Sequence, residues 1–245
     1  MDVKRMAQPV SDVVRWHDLE CGGYRADLPL WRELAAAVAP APVLDLGAGS
    51  GRVALDLAAH GHEVAAVELD AELAGALRDR AAGLSLQVVC ADAREISLGR
   101  SFGLVIVAMQ TVQLMGGSEG RIRLLARVRE HLAPGGVAGV AIVTRLEPFD
   151  GPLAIPDTAR HGDELFVSQP TAVRREPDSW VLERRRERVQ GDERRPAGLD
   201  VIRIDRLSQR ALVREAAAVG LRPMPARRIE PTAEHSGALV VTLGG

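Results

Sequence analysis

Two kinds of apolar pattern alternate between residues 42 and 144. PVLDLG is a nearly continuous apolar run, as expected of a strand buried on both faces. GRVALDLAAHG instead places its apolar residues at helical spacing and stops at Gly61, a residue typical of helix ends. Further strand patterns follow at HEVAAVEL, LQVVCAD, FGLVIVAM and VAGVAIV. The alternation predicts a doubly wound α/β fold, with a mostly parallel sheet and helices on both faces.

The pattern changes after Thr144. LFVSQPTAVRRE, SWVLERRRERV and DVIRIDRL predict strands joined by turns at Pro177-Asp178 and Gly191-Asp192. Residues 174–195 contain eight arginines and six acids, which favours a solvated antiparallel flap over a basic groove for nucleic acid. We expect this small antiparallel insertion to cover the site, to pack against a second subunit in a homodimer, or to do both.

Composition narrows the functional classes. The net charge of −2 over 245 residues shows no excess of positive charge that would favour binding to nucleic acid or to an anionic membrane surface. Cys21 and Cys90 are far apart in sequence, which favours a reducing compartment over a disulfide framework. The first residues lack the apolar segment of a secretion signal, and no stretch has the character of a membrane span. We therefore expect a cytoplasmic protein that contacts no membrane.

The segment VLDLGAGSG, residues 43–51, carries the most specific chemistry. Its glycines follow a G-x-G-x-G spacing. A nicotinamide-binding loop needs G-x-G-x-x-G, but Arg52 stands where the third glycine would be. The G-K-[ST] that ends the phosphate-binding loop of nucleoside triphosphate-binding proteins is also absent from this segment. Asp45 precedes the first glycine by two residues, where a carboxylate suits a ligand with an ammonium group and a positive sulfonium.

The motif set closely resembles the class I S-adenosylmethionine-dependent methyltransferases. DLGAGSG matches the first family motif, Glu68 stands at the second acidic position, CADAR contains the third at Asp92, and HLAPGG matches the turn before strand five. The resemblance implies a seven-stranded sheet whose last strand is antiparallel, S-adenosyl-L-methionine as cofactor and methyl transfer as activity. We therefore expect a single domain over residues 1–245. Its parts are a helical lid (1–40), a cofactor-binding core (41–144), the flap (163–207) and a closing helix and strands (208–245).

Each cofactor position has a physical role. Gly47 and Gly49 lack a Cβ, so a ligand can approach the backbone closely. Glu68 can accept two ribose hydroxyl bonds. Asp92 and the Ala93 N–H are placed for adenine, with Leu69 and Ala93 covering its two faces; a helix N-cap or an Asx turn is the alternative role for Asp92. Alternatively, the Asp45 carboxylate accepts hydrogen bonds from backbone amides of the loop and does not contact the ligand. The expected cofactor residues are Asp45, Gly47, Ala48, Gly49, Gly51, Glu68, Leu69, Asp92, Ala93, Met109, Gln110 and Tyr24.

The acceptor side gives weaker signals. Tyr24 lies in a segment that resembles the lid of small-molecule members, while His235 and His161 follow late strands at the carboxyl edge; these three are the candidate catalytic residues. Gln110, Thr111 and Gln113 cannot act as bases at neutral pH; they are expected to line the methionine end of the cofactor or to hydrogen-bond a polar substrate. His17 and Asp18 are either a base with its orienting acid or ordinary surface residues. No metal site is indicated.

The expected function is methylation of an oxygen or nitrogen of a small-molecule acceptor, largely by proximity and orientation. Two alternatives stay open: a catalytically silent protein that keeps the cofactor fold, and an RNA-directed methyltransferase, which the acidic balance disfavours. An aminopropyl transferase would need an acid-rich acceptor pocket, whereas MQTVQLM offers amides.

Overall fold

The structure, a computed structural model, describes residues 10–151, 155–232 and 235–245. Two helices precede the first strand, α1 (Asp12–Cys21) and α2 (Leu28–Val38). Ser11 caps α1 by accepting a hydrogen bond from the Val14 N–H, and Trp31 of α2 is completely buried. These helices form most of the predicted lid, whose residues 1–9 lie outside the described residues.

Five parallel strands form the core of the main sheet. Those strands are β1 (Val43–Leu46), β2 (Val64–Glu68), β3 (Leu86–Cys90), β4 (Phe102–Val107) and β5 (Leu132–Ile142); the helices between them are α3 (Arg52–Ala59), α4 (Ala71–Arg80) and α5 (Ser118–His131). All residues of β1 and β4 are buried, which explains why their sequences are continuously apolar. Asp70 caps α4 by accepting from two backbone N–H groups.

The flap forms a second, antiparallel sheet. Its strands are β6 (Phe149–Asp150), β7 (Asp157–His161), β8 (Glu164–Arg175), β9 (Ser179–Gln190) and β10 (Glu193–Asp205). β10, β9 and β8 are neighbours, and both β6 and β7 pair with β8. The three long strands confirm the predicted antiparallel insertion. The sheet begins earlier than residue 163 because β6 and β7 belong to it, and strands this short leave no readable alternation in the sequence.

The chain closes with α6 (Gln209–Ala218), β11 (Arg222–Pro223), β12 (Arg227–Ile229) and β13 (Ala238–Gly244). The main sheet has the order β11-β13-β5-β4-β1-β2-β3, and β13 runs antiparallel to β5, as predicted for the last strand. The sheet has eight strands among the described residues instead of seven. The strand expected over residues 222–229 is divided into β11 and β12 near Pro225, which has no N–H to donate.

Helices cover both faces of this sheet. Leu124 of α5 and Leu212 of α6 belong to the core on one face, and Trp31 of α2 and Leu57 of α3 belong to the core on the other. Because β1 to β5 are parallel, the loops that follow them meet at one edge of the sheet, where ligands bind in such folds. None of the described helices combines the length and the apolar character needed to cross a membrane.

Candidate active site

The glycine loop has a backbone that only glycine adopts easily. Gly47, Gly49 and Gly51 have φ angles of +74°, +59° and +104°. A Cβ added at Gly47 would lie 2.4 Å from Cγ2 of Thr111, and one added at Gly49 would lie 2.5 Å from the ring of His17. The loop therefore requires glycine both for its conformation and for the close approach of two neighbouring side chains.

Asp45, beneath this loop, is the most unusual group of the site. The residue is 1% exposed, and neither carboxylate oxygen has a hydrogen-bond partner within 3.5 Å among the described residues, although the backbone N–H of Ala54 favours its charged form. Burial raises the pKa of Asp45 to about 7, although the positive charge of Arg52 opposes this change. A buried acceptor without a donor is costly, so the carboxylate fits a ligand that brings a positive donor to the glycine loop.

Glu68, at the end of β2, fastens the glycine loop. Its Oε2 accepts a hydrogen bond from the Gly49 N–H at 2.7 Å, and its Oε1 accepts one from the Asp70 N–H at 2.9 Å. Each oxygen keeps a second lone pair, which suits the predicted ribose contact. Leu69 beside it is 63% exposed, an apolar side chain left open at the position predicted to cover adenine.

Asp92 forms the Asx turn that the sequence left as its alternative role. Its Oδ1 accepts from the Arg94 N–H at 2.8 Å, and its Oδ2 accepts from Nη2 of Arg94 at 2.6 Å. These bonds hold the pKa of Asp92 below its usual range, so the group is ionised. Ala93 is nearly buried. The adenine contact of both residues stays a prediction.

The segment after β4 contains both a strained residue and a structural one. Met109 has a φ of +51°, a conformation that costs free energy for a side chain of this kind. Gln113 is fully buried: its side-chain amide donates to the Val143 and Asp205 carbonyls and accepts from the Val143 N–H. The interpretation of Gln113 as a cofactor-lining residue is wrong, because its polar atoms are committed to joining Val143, directly after β5, to Asp205 at the end of β10.

Tyr24 and His235, two of the candidate catalytic residues, lie side by side. Their ring centroids are 4.8 Å apart. The guanidinium of Arg52 lies 5.1 Å from the Tyr24 ring centroid and is itself fixed by hydrogen bonds of 2.5 and 2.8 Å to Asp27, which also accepts from the indole of Trp31. Burial raises the pKa of Tyr24, so its hydroxyl is neutral at physiological pH.

His161, the other candidate, lies elsewhere. Its ring packs edge-on against Phe166, with centroids 5.3 Å apart, and Phe166 packs against Trp16 of α1. The described residues show no contact of His161 with the glycine loop, Tyr24 or His235. The structure therefore places His161 where the flap meets the lid and leaves its catalytic role unsupported.

The pair His17 and Asp18 is not an ordinary surface feature. His17 packs on Gly49, and its Nδ1 lies 3.2 Å from the Ser50 hydroxyl. Asp18 accepts hydrogen bonds from the same hydroxyl and from both terminal nitrogens of Arg80. The signal in the sequence was two adjacent polar residues on an amphipathic helix, and their position on the glycine loop depends on tertiary packing.

The fold defined by this site is that of the class I S-adenosylmethionine-dependent methyltransferases. Residues 43–136, which include the glycine loop, Glu68 and Asp92 but less than half of the chain, match the family model described as a methyltransferase domain. The cypemycin N-terminal methyltransferase of a Streptomyces species is 32% identical over 96 residues, 39% of this chain and 39% of that protein. The chain thus aligns with about two fifths of that curated relative.

Solved methyltransferase structures resemble this fold over nearly the whole chain. DesVI of Streptomyces venezuelae has a TM-score of 0.74 at 23% identity, with 94% of this chain and 98% of that chain covered. CalS10, an amino pentose methyltransferase from Micromonospora echinaspora solved with S-adenosylmethionine, has a TM-score of 0.74 at 20% identity, with 96% and 98% covered. At this level of identity the likeness shows the fold, flap included.

Proposed function

We propose that the protein transfers a methyl group from S-adenosyl-L-methionine to an amino nitrogen of a small-molecule acceptor. The main observation in favour of this cofactor is Asp45 beneath the glycine loop, whose buried carboxylate has no hydrogen-bond partner among the described residues. The acceptor follows from the relatives, because the cypemycin enzyme is an N-terminal methyltransferase and CalS10 an amino pentose methyltransferase. Nitrogen is thus favoured over oxygen.

The bound cofactor would supply an electrophilic methyl group on a positively charged sulfur. The residues of this chain must bind it, orient the acceptor nitrogen in line and exclude water. Asp45, Glu68 and the glycine loop are suited to the first task. Transfer of the methyl group to an amino nitrogen would require that nitrogen to give up one proton, and a ring nitrogen of His235, beside Tyr24, is the proposed base.

The flap's charges support a small acceptor rather than RNA. Arg174 is paired with Glu183, Arg186 with Glu20, and Arg195 with Glu193. These paired arginines present less net positive charge to a phosphate backbone than their number suggests.

The flap also supports a proposed homodimer. β10 is an edge strand of the second sheet, and it exposes Leu199 and Val201 by 62% and 49%. An edge strand with exposed apolar side chains favours pairing with a second copy. Sedimentation of the wild type and of Val201→Glu tests this: a dimer that the substitution dissociates supports the proposal, and a wild-type monomer at high concentration contradicts it.

The cysteines support a reducing compartment, such as the cytoplasm, as part of the proposal. Cys21 and Cys90 are both free thiols. Burial raises the pKa of the Cys21 thiol to about 11, so this group stays protonated and unreactive.

The central experiment follows labelled methyl transfer to a panel of amino sugars and peptide amines, each paired with its hydroxyl analogue. Labelling of the amines alone supports the proposal, and labelling of the hydroxyl compounds alone overturns the choice of nitrogen. S-adenosylhomocysteine binding is measured by calorimetry in parallel. Tight binding without labelling of any compound would favour the catalytically silent alternative.

A further inference from the structure

His17 of the lid lies directly on the glycine loop. A Cβ at Gly49 would be 2.5 Å from both Cε1 and Nε2 of His17, so this edge of the imidazole faces the loop. The same Gly49 donates its N–H to Glu68, which places the ring within the group of residues expected to hold the cofactor. No family motif identified in the sequence includes this position.

The hydrogen bonds around His17 fix which ring nitrogen carries the proton. Arg80 donates two hydrogen bonds to Asp18; burial opposes ionisation of this carboxyl, but its bonds from Arg80 and Ser50 outweigh burial and lower its pKa. The Ser50 hydroxyl therefore donates to Asp18, at 2.5 Å, and must accept from Nδ1 of His17. Nε2 is then left with a free lone pair that faces the loop.

Burial keeps this imidazole neutral. Burial and the positive charge of Arg80 both lower the pKa of His17, and burial has the larger effect. The negative charges of Asp18, Glu68 and Glu20 oppose this change without cancelling it. A neutral ring with its proton on Nδ1 can accept a hydrogen bond through Nε2 without repelling a cation.

We propose that His17 is a cofactor-binding residue whose Nε2 accepts a hydrogen bond from the ammonium group of the cofactor's amino-acid portion. The proposal rests on the proposed function and adds a residue to it. The chemistry is matched because Glu68 is suited to the ribose hydroxyls, whereas an ammonium is a donor that a neutral imidazole binds well. The Arg80–Asp18–Ser50 chain acts as a positioning device that holds the acceptor nitrogen toward the loop.

The test compares two ligands that differ at the amino-acid end. S-adenosylhomocysteine carries the ammonium, and 5′-methylthioadenosine lacks the whole amino-acid portion but keeps adenine and ribose. Calorimetry with His17→Leu should show a loss of about tenfold to a hundredfold in affinity for S-adenosylhomocysteine and little change for 5′-methylthioadenosine. His17→Gln, which restores an acceptor, should recover part of the loss.

Ser50→Ala is the second variant, because it leaves the ring in place but removes the group that fixes its tautomer. It should show the same ligand selectivity with a smaller loss. Wild-type affinity for 5′-methylthioadenosine in each variant verifies that the site is folded. Equal losses for both ligands, no loss in His17→Leu, or no recovery in His17→Gln would each overturn the role of His17. Failure of the wild type to bind S-adenosylhomocysteine would instead refute the proposed function.

Discussion

The rings of Tyr24 and His235 stack with their centroids 4.8 Å apart, although the two residues come from opposite ends of the chain. Tyr24 follows the first lid helix, and His235 lies in the connection that leads into β13. The pair therefore joins the lid to the connection before β13. Arg52, from the helix after the glycine loop, contacts the same tyrosine ring and links this pair to that loop.

Replacing His235 with Asn should lower kcat by about a hundredfold or more, because a general base contributes factors of this size. The affinity for S-adenosylhomocysteine should stay unchanged, since no cofactor contact is assigned to this residue. Single-turnover methylation and calorimetry measure the two quantities. His161→Asn is the matched control and should retain wild-type turnover. Unaltered turnover in His235→Asn would remove the residue from the reaction.

Replacing Glu68 with Gln should weaken both S-adenosylhomocysteine and 5′-methylthioadenosine by about tenfold or more, because each ligand loses charged hydrogen bonds to its ribose. This pattern differs from that expected for His17 variants, where only the first ligand is affected. Glu72→Gln, on an exposed side chain of α4, serves as the control. Equal affinities of Glu68→Gln and the wild type would exclude the ribose contact.

Asp45 should make the ligand-free protein less stable as the pH rises from 4 toward 7. The folded state retains the proton up to a pKa of about 7, whereas the unfolded chain releases it near its ordinary value, so the unfolded state binds fewer protons in this window. Urea unfolding across this range should show a loss of a few kcal/mol relative to Asp45→Asn, which cannot ionise. Parallel pH profiles for the two proteins would contradict the raised pKa.

Gln113→Leu should destabilise the fold by about 2–4 kcal/mol, because it leaves buried backbone groups of Val143 and Asp205 without the partners that Gln113 supplies. Chemical denaturation at constant pH measures this difference. Gln110→Leu, three residues earlier and only partly buried, should change stability by about 0.5 kcal/mol or less. A small effect at Gln113 would mean that the turn rearranges to satisfy these groups.

Much of the fold follows from local pattern. The buried strands β1 and β4 are continuously apolar, the glycine loop needs positive φ angles, and the flap strands end at Pro-Asp and Gly-Asp turns. Such signals are local, so each could be interpreted without knowing the neighbours. The same holds for Asp45 and Glu68, since the ends of parallel strands meet at one sheet edge whatever the packing.

The contacts between distant segments, by contrast, depend on tertiary packing. It placed His17 of the lid on Gly49, paired Tyr24 with His235, and committed Gln113 to the strands β5 and β10. It also left His161 at the junction of flap and lid. A side chain's role at these positions depends on which polar groups and rings lie opposite it after folding. Spacing along the chain determines the edge on which a residue lies, and only packing determines its partner.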